Sequence, residues 1–300
     1  MKRIVVFLLL SVALILGVGS CQFNNVGGGN SDIVVASKGD TEQNILSELL
    51  AQQIEATTNL KVDRRYFTST LVCHQAITAD KIDAYVEYTG TALTAILKQQ
   101  SISDPKAVFQ KVKEAYDQQL KLEVMDSLGF ENTFAMIIRS EDAKRYNIKT
   151  LSEAAKYTPQ WRGGFGYEFM EREDGFPGLA KTYDLQFGQY PRVMDIGLIY
   201  RALVQKHVDM VNANSTDGQI SRLNLVVLED DKQYFPPYEA TVVVRQAILQ
   251  KYPELRQAIA PLIGKISSEE MQKLNYLVEG ELRKIKTVVS EFRKAKGLAS

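Results

Sequence analysis

Cysteine and histidine are both scarce in this 300-residue chain: two cysteines, Cys21 and Cys73, and two histidines, His74 and His207. A disulfide framework is therefore excluded, and the fold must be held by its core. The histidines are far apart, and neither has a second His or Cys at ligand spacing, so no metal site is expected. A nucleophile elbow of the Gly-x-Ser-x-Gly kind is missing too. Gly163-Gly-Phe-Gly166 lacks the Lys-Ser/Thr of a phosphate loop and reads as a turn. Surplus charge is also lacking, because Lys plus Arg and Asp plus Glu both count 36. Nucleic acid is thus not an expected partner. What the chain does have is 45% apolar and 24% charged residues, which excludes disorder over most of its length and suits one or two domains.

The longest apolar run is short. Lys2 and Arg3 precede Ile4 to Leu16, 13 residues interrupted only by Ser11, and Gly17, Val18, Gly19, Ser20 and Cys21 follow. A membrane span needs about 20 residues, so the run reads as an export signal over residues 1–20. Cysteine directly after Val18-Gly-Ser20 resembles the lipobox of bacterial lipoproteins, which implies that Cys21 is acylated and becomes the new N-terminus; the alternative is ordinary cleavage with Cys21 a bystander. The small polar residues that follow make 21–31 a lipidated N-terminus and flexible tether. Removing residues 1–20 takes away two cations, leaving 34 against 36 and a net charge of −2. Cys73, amid Leu71, Val72, Ala76 and Ile77, reads as a buried structural thiol.

Beyond the tether, short apolar strands alternate with helical patterns. Ile33–Ala36 leads through Ser37-Lys-Gly-Asp-Thr-Glu42 to Ile45, Leu46, Leu49, Leu50 and Ile54 at helical spacing, with Asp40 or Thr41 as N-cap. Strands near 61–67 and 82–86 and helices near 70–79 and 90–98 continue the series. These βαβ units imply an α/β fold with mostly parallel sheets, helices on both faces, and ligand sites at the strand-to-helix turns. A second series spans Ser140 to Glu229, Phe235-Pro-Pro-Tyr238 interrupts it, and the β-branched run Thr241 to Arg245 returns the chain to the first lobe. The expected organisation is lobe 1 over 32–137 plus 240–300 and lobe 2 over 138–239.

In order and spacing, five segments are similar to the substrate-binding proteins of osmoprotectant ABC importers: Lys38 in its turn, Val86-Glu-Tyr-Thr-Gly-Thr91, Glu168-Phe-Met-Glu-Arg-Glu-Asp-Gly175, Asn214-Ser-Thr-Asp-Gly218 and Phe235–Tyr238. Asp195–Leu203, Leu228–Asp231 and Glu270-Met-Gln-Lys-Leu-Asn275 extend the resemblance to nearly the whole chain after the leader. It implies a type II periplasmic-binding-protein fold, two lobes joined by two crossing hinge strands that close on a ligand. It also implies an extracytoplasmic, lipid-anchored monomer without cofactor or catalysis, delivering a quaternary ammonium compound to an ABC permease. The carry-over assigns Tyr88 and Tyr238 to an aromatic box for the cation. A third family tyrosine falls on Phe134 and a fourth on Asn214, which keeps a ring at the first and loses it at the second. Lys38, Thr91 and Arg172 match positions that hold the ligand's carboxylate, with Gln43 and Asp217 lining the cleft more loosely. Both cations together favour a zwitterion over choline. The alternatives are a different zwitterionic cargo, amino-acid-like or sulfur-containing, a binding protein that does not serve transport, and an exported hydrolase needing His74 or His207.

Overall fold

The structure, a computed structural model, describes residues 31–67, 69–171 and 175–298. Cys21 and Arg172, expected as the anchor and as a carboxylate ligand, lie outside the described residues. Among the described residues, ten strands form two five-stranded sheets. The first holds β1 (Ile33–Ser37), β2 (Val62–Tyr66), β3 (Ala84–Tyr88), β4 (Leu122–Glu131) and β10 (Glu239–Arg245), in the order β2-β1-β3-β10-β4. The second holds β5 (Phe134–Arg139), β6 (Gly163–Gly166), β7 (Arg192–Met194), β8 (Met210–Asn214) and β9 (Leu225–Val227), in the order β7-β6-β8-β5-β9.

In each sheet four of the five strands point the same way and one runs against them. β1 runs parallel to β2 and β3, and β6 to β7 and β8, but β10 is antiparallel to β3 and β4, and β5 to β8 and β9. The cause is the crossing. Both antiparallel centres are strands the chain enters on arriving from the other sheet, so they are not bound by the βαβ rule that keeps consecutive strands parallel. The chain passes from the first sheet to the second at Asn132 and Thr133, since β5 belongs wholly to the second sheet, and it returns just before Glu239.

Alternation builds the core on both faces of each sheet. Val242 and Val244 of β10 face one apolar cluster with Val35, Val86 and Leu49, while Val243 faces another with Tyr85, Ile77 and Val112. Met136 and Ile138 of β5 likewise oppose Ala135 and Ile137. The helix Thr41–Thr57 buries Ile45, Leu46, Leu49, Leu50 and Ile54, each worth roughly 1.5–3 kcal/mol when withdrawn from water. Asp40 begins it: Oδ1 accepts the Gln43 N–H at 2.8 Å. Cys73 is fully buried as expected, and desolvation pushes its thiol up to about 12.

The Gly163–Gly166 stretch, read from sequence as a turn, is buried strand β6. Its glycines serve close packing. A Cβ on Gly164 would lie 2.8 Å from Met194 Sδ and 2.9 Å from Val208 Cγ1. Among the described residues, no helix is long and apolar enough to cross a membrane.

Candidate functional site

A cavity of about 640 Å³ opens where the carboxyl ends of β1, β3 and β8 meet the two changeovers. Open α/β sheets present loops and free backbone groups at those ends, which is why ligands gather there. Lys38, Tyr88, Thr91, Phe134, Asn214 and Tyr238 all line it, so six of the seven ligand-binding residues expected from sequence are brought together from both sheets. Asp217 lines it as well. Gln43 does not; it is buried in the packed face of its helix.

The first-sheet wall is organised around Tyr88. Lys38, the residue after β1, is 7% exposed and places Nζ 2.5 Å from Glu87 Oε1, a pair withdrawn almost wholly from water. The same ammonium sits 4.8 Å from the centroid of the Tyr88 ring. Glu87 Oε1 also accepts the Tyr88 backbone N–H at 2.8 Å. The Tyr88 hydroxyl donates to Glu42 Oε1. Burial, with the Glu42 charge next, raises the phenol well above its ordinary range, so it remains a donor. Lys38 therefore reaches the cavity with its charge already partnered. An ammonium carries three donors, and those not used by Glu87 can still meet a ligand oxygen.

The turn after Tyr88 explains the spacing of its motif. Thr89 Oγ1 accepts the Glu239 N–H at 3.1 Å, binding the turn to the second changeover. Gly90 leaves room for the Tyr238 ring. A Cβ there would lie 2.6 Å from Pro237 O and 2.9 Å from two ring carbons of Tyr238. Tyr88, Thr91 and Tyr238 thus reach one cavity from two segments distant in sequence.

On the opposite wall, Phe134 and Asn214 are direct partners across the β5–β8 ladder. Side chains opposite each other in an antiparallel pair point to the same face, so these two residues share one subsite. Phe134 is backed edge-on by Phe169, 5.3 Å between centroids, and further by Phe235. The two positions that differ from the resembled pattern are therefore one local change. It keeps an apolar ring and sets an amide beside it.

Sequence reasoning missed the cavity floor. Glu42, second residue of its helix, is 5% exposed, and its carboxylate also accepts from Asn132 Nδ2 at 3.0 Å and Asn275 Nδ2 at 2.9 Å. Burial raises its pKa against hydrogen bonds from Thr216, Tyr88 and Asn275, which lower it. Asn275 Nδ2 also reaches Thr216 O at 2.9 Å, and Gln272 Nε2 reaches Ser215 O at 2.7 Å. One face of the helix Ser268–Glu279 thereby grips the segment after β8. Glu42 and Asn275 did stand within motifs singled out from sequence, but only the fold shows that they meet.

Two sheets with flanking helices, two changeovers and a polar, partly aromatic cavity between them define a solute-binding protein of the two-lobed class. Residues 31–295 match the family model described as the substrate binding domain of ABC-type glycine betaine transport systems, and the chain belongs to that family. A carnitine transport binding protein of Listeria monocytogenes is 39% identical over 296 residues, 97% of this chain and 96% of that protein. An ergothioneine transport permease and binding protein of Helicobacter pylori is 37% identical over 268 residues, covering 89% of this chain and 48% of that protein. A crystal structure described as a glycine betaine/carnitine/choline ABC transporter superposes with a TM-score of 0.85 at 36% identity, covering 89% of this chain and all of the other. The family is one of transport components, not of enzymes.

Proposed function

We propose that this chain captures a zwitterionic quaternary ammonium compound in the cavity between its sheets and hands it to an ABC permease. The convergence of Lys38, Tyr88, Thr91, Phe134, Asn214 and Tyr238 on one cavity carries this reading. A trimethylammonium group has charge but no donor, so it is held by aromatic faces, and Tyr88, Tyr238 and Phe134 offer three. The carboxylate end goes to Lys38 and Thr91, with Arg172 as the bidentate partner. The bodies built on the two sheets are the closing lobes, hinged at 132–133 and 236–238. Binding favours the closed state because the ligand touches both. Cys21 carries the lipid that tethers the monomer to the membrane.

The named relatives supply two candidate cargoes, carnitine and ergothioneine. The Phe134–Asn214 pair favours a zwitterion with a polar body beyond a simple betaine, since an amide there can pair with a heteroatom that a ring would exclude. Calorimetric titration with glycine betaine, carnitine, choline and ergothioneine tests the proposal. Micromolar binding of at least one zwitterion is expected, with choline weaker. If no quaternary amine binds, the assignment fails.

A further inference from the structure

Tyr88 is held by more than its own strand, and the residue that holds it carries a charge. Glu42 Oε1 accepts from the Tyr88 hydroxyl and from Asn132, and Oε2 accepts from Asn275. Every one of these groups is a donor, which is the environment of a carboxylate rather than of a carboxylic acid. The contacts come from β3, from the first changeover and from the helix Ser268–Glu279, so Glu42 ties the cation-facing ring to the parts between which the lobes hinge. A phenol that donates to a buried carboxylate shifts electron density toward its ring, which deepens the negative face that attracts a cation. That face already draws an ammonium here, since Lys38 Nζ lies 4.8 Å from its centroid.

The surrounding charge points the same way. Among the described residues lining the cavity, Lys38 is the single cation, and Glu87 balances it. Asp40 stands at the start of the Glu42 helix, Asp217 faces in from the second lobe and Glu279 from the helix Ser268–Glu279. We propose that Glu42 is a specificity-determining residue, one that positions and polarises Tyr88 and supplies the buried charge by which the site chooses a cationic head over a neutral group of the same shape. This rests on the quaternary ammonium reading and names what enforces it.

Carbon isosteres isolate the charge: 3,3-dimethylbutan-1-ol for choline and 3,3-dimethylbutanoate for glycine betaine keep the shape and lose the cation. The purified protein and a Glu42→Gln variant, checked for unchanged thermal unfolding, are titrated with each pair. The wild type is expected to favour the cation by tenfold or more, and Glu42→Gln to shrink that ratio by about tenfold, because a glutamine keeps the acceptor for Tyr88 and loses the charge. A second readout compares pH profiles. Choline keeps its charge at every pH used, so on acidification its affinity for the wild type should fall more steeply than its affinity for Glu42→Gln, as Glu42, its pKa raised by burial, takes up a proton. Equal ratios in both proteins, together with the same pH profile in both, overturn the role of Glu42 and leave the transport reading intact. Failure of the wild type to bind any of the quaternary amines sinks both.

Discussion

Tyr88 is the residue on which the site turns: its backbone N–H, hydroxyl and ring are each engaged, by Glu87, Glu42 and Lys38. Replacing it with alanine removes a desolvated cation–π contact, and the affinity for whichever quaternary amine binds best should drop tenfold or more in a calorimetric titration. Its neighbour Glu87 governs stability. With side chains only 5% and 1% exposed, Lys38 and Glu87 repay their desolvation through each other, so Glu87→Ala leaves a buried ammonium unpaired. Urea unfolding should show a loss of about 3–5 kcal/mol, and the double variant Lys38→Met/Glu87→Leu should recover most of it while binding stays impaired. A loss under about 1 kcal/mol would mean that water reaches the pair.

At the scale of elements, the crossing strands carry a like-charge contact. Glu131 of β4 and Glu239 of β10 are register partners, and both pKa values are raised, foremost by burial; the Glu131 charge adds to the rise at Glu239, and Asp230 to that at Glu131. The folded state therefore holds protons that the unfolded chain has released, and stability falls as pH rises from the ordinary carboxylate range through the raised values. Glu239→Gln should be more stable than the parent at neutral pH, with the difference closing on acidification, as read by thermal unfolding across that range. A difference that does not change with pH would mean that folding does not raise the Glu239 pKa.

Most elements were legible because one physical signal dominated each. The β-branched run Thr241–Arg245 marks a strand buried on both faces, and Asp104-Pro105 marks the start of Pro105–Ala115, where the aspartate side chain caps two N–H groups. β6 was not legible: glycines imposed by the packing of Met194 and Val208 look like a turn when those neighbours are unknown. The mostly parallel reading of the sheets holds for four strands in each, and the one reversed strand was not legible because strand direction after a changeover is set by the whole topology. In the site, motif residues pointing into the cavity could be carried over one by one. Glu42 could not, because its role depends on Tyr88, Asn132 and Asn275 arriving from separate elements.

For the whole molecule, the proposed function joins the N-terminal segment to the cavity: a lipid on Cys21 keeps the receptor beside its permease while its lobes close on cargo. If Cys21 bears the lipid, Cys21→Ser should move the protein from the membrane fraction to the soluble fraction in cell fractionation, with ligand affinity unchanged. Retention in the membrane would assign anchoring to an uncleaved leader. The central claim, that a quaternary ammonium head is seated by rings contributed from both lobes, is tested most directly by a crystal structure of the protein with whichever of the four amines binds tightest. The expected result places the nitrogen within about 6 Å of the ring centroids of Tyr88 and Tyr238 and over Phe134. Electron density for the head group away from these rings, or a ligand held by one lobe alone, would contradict it.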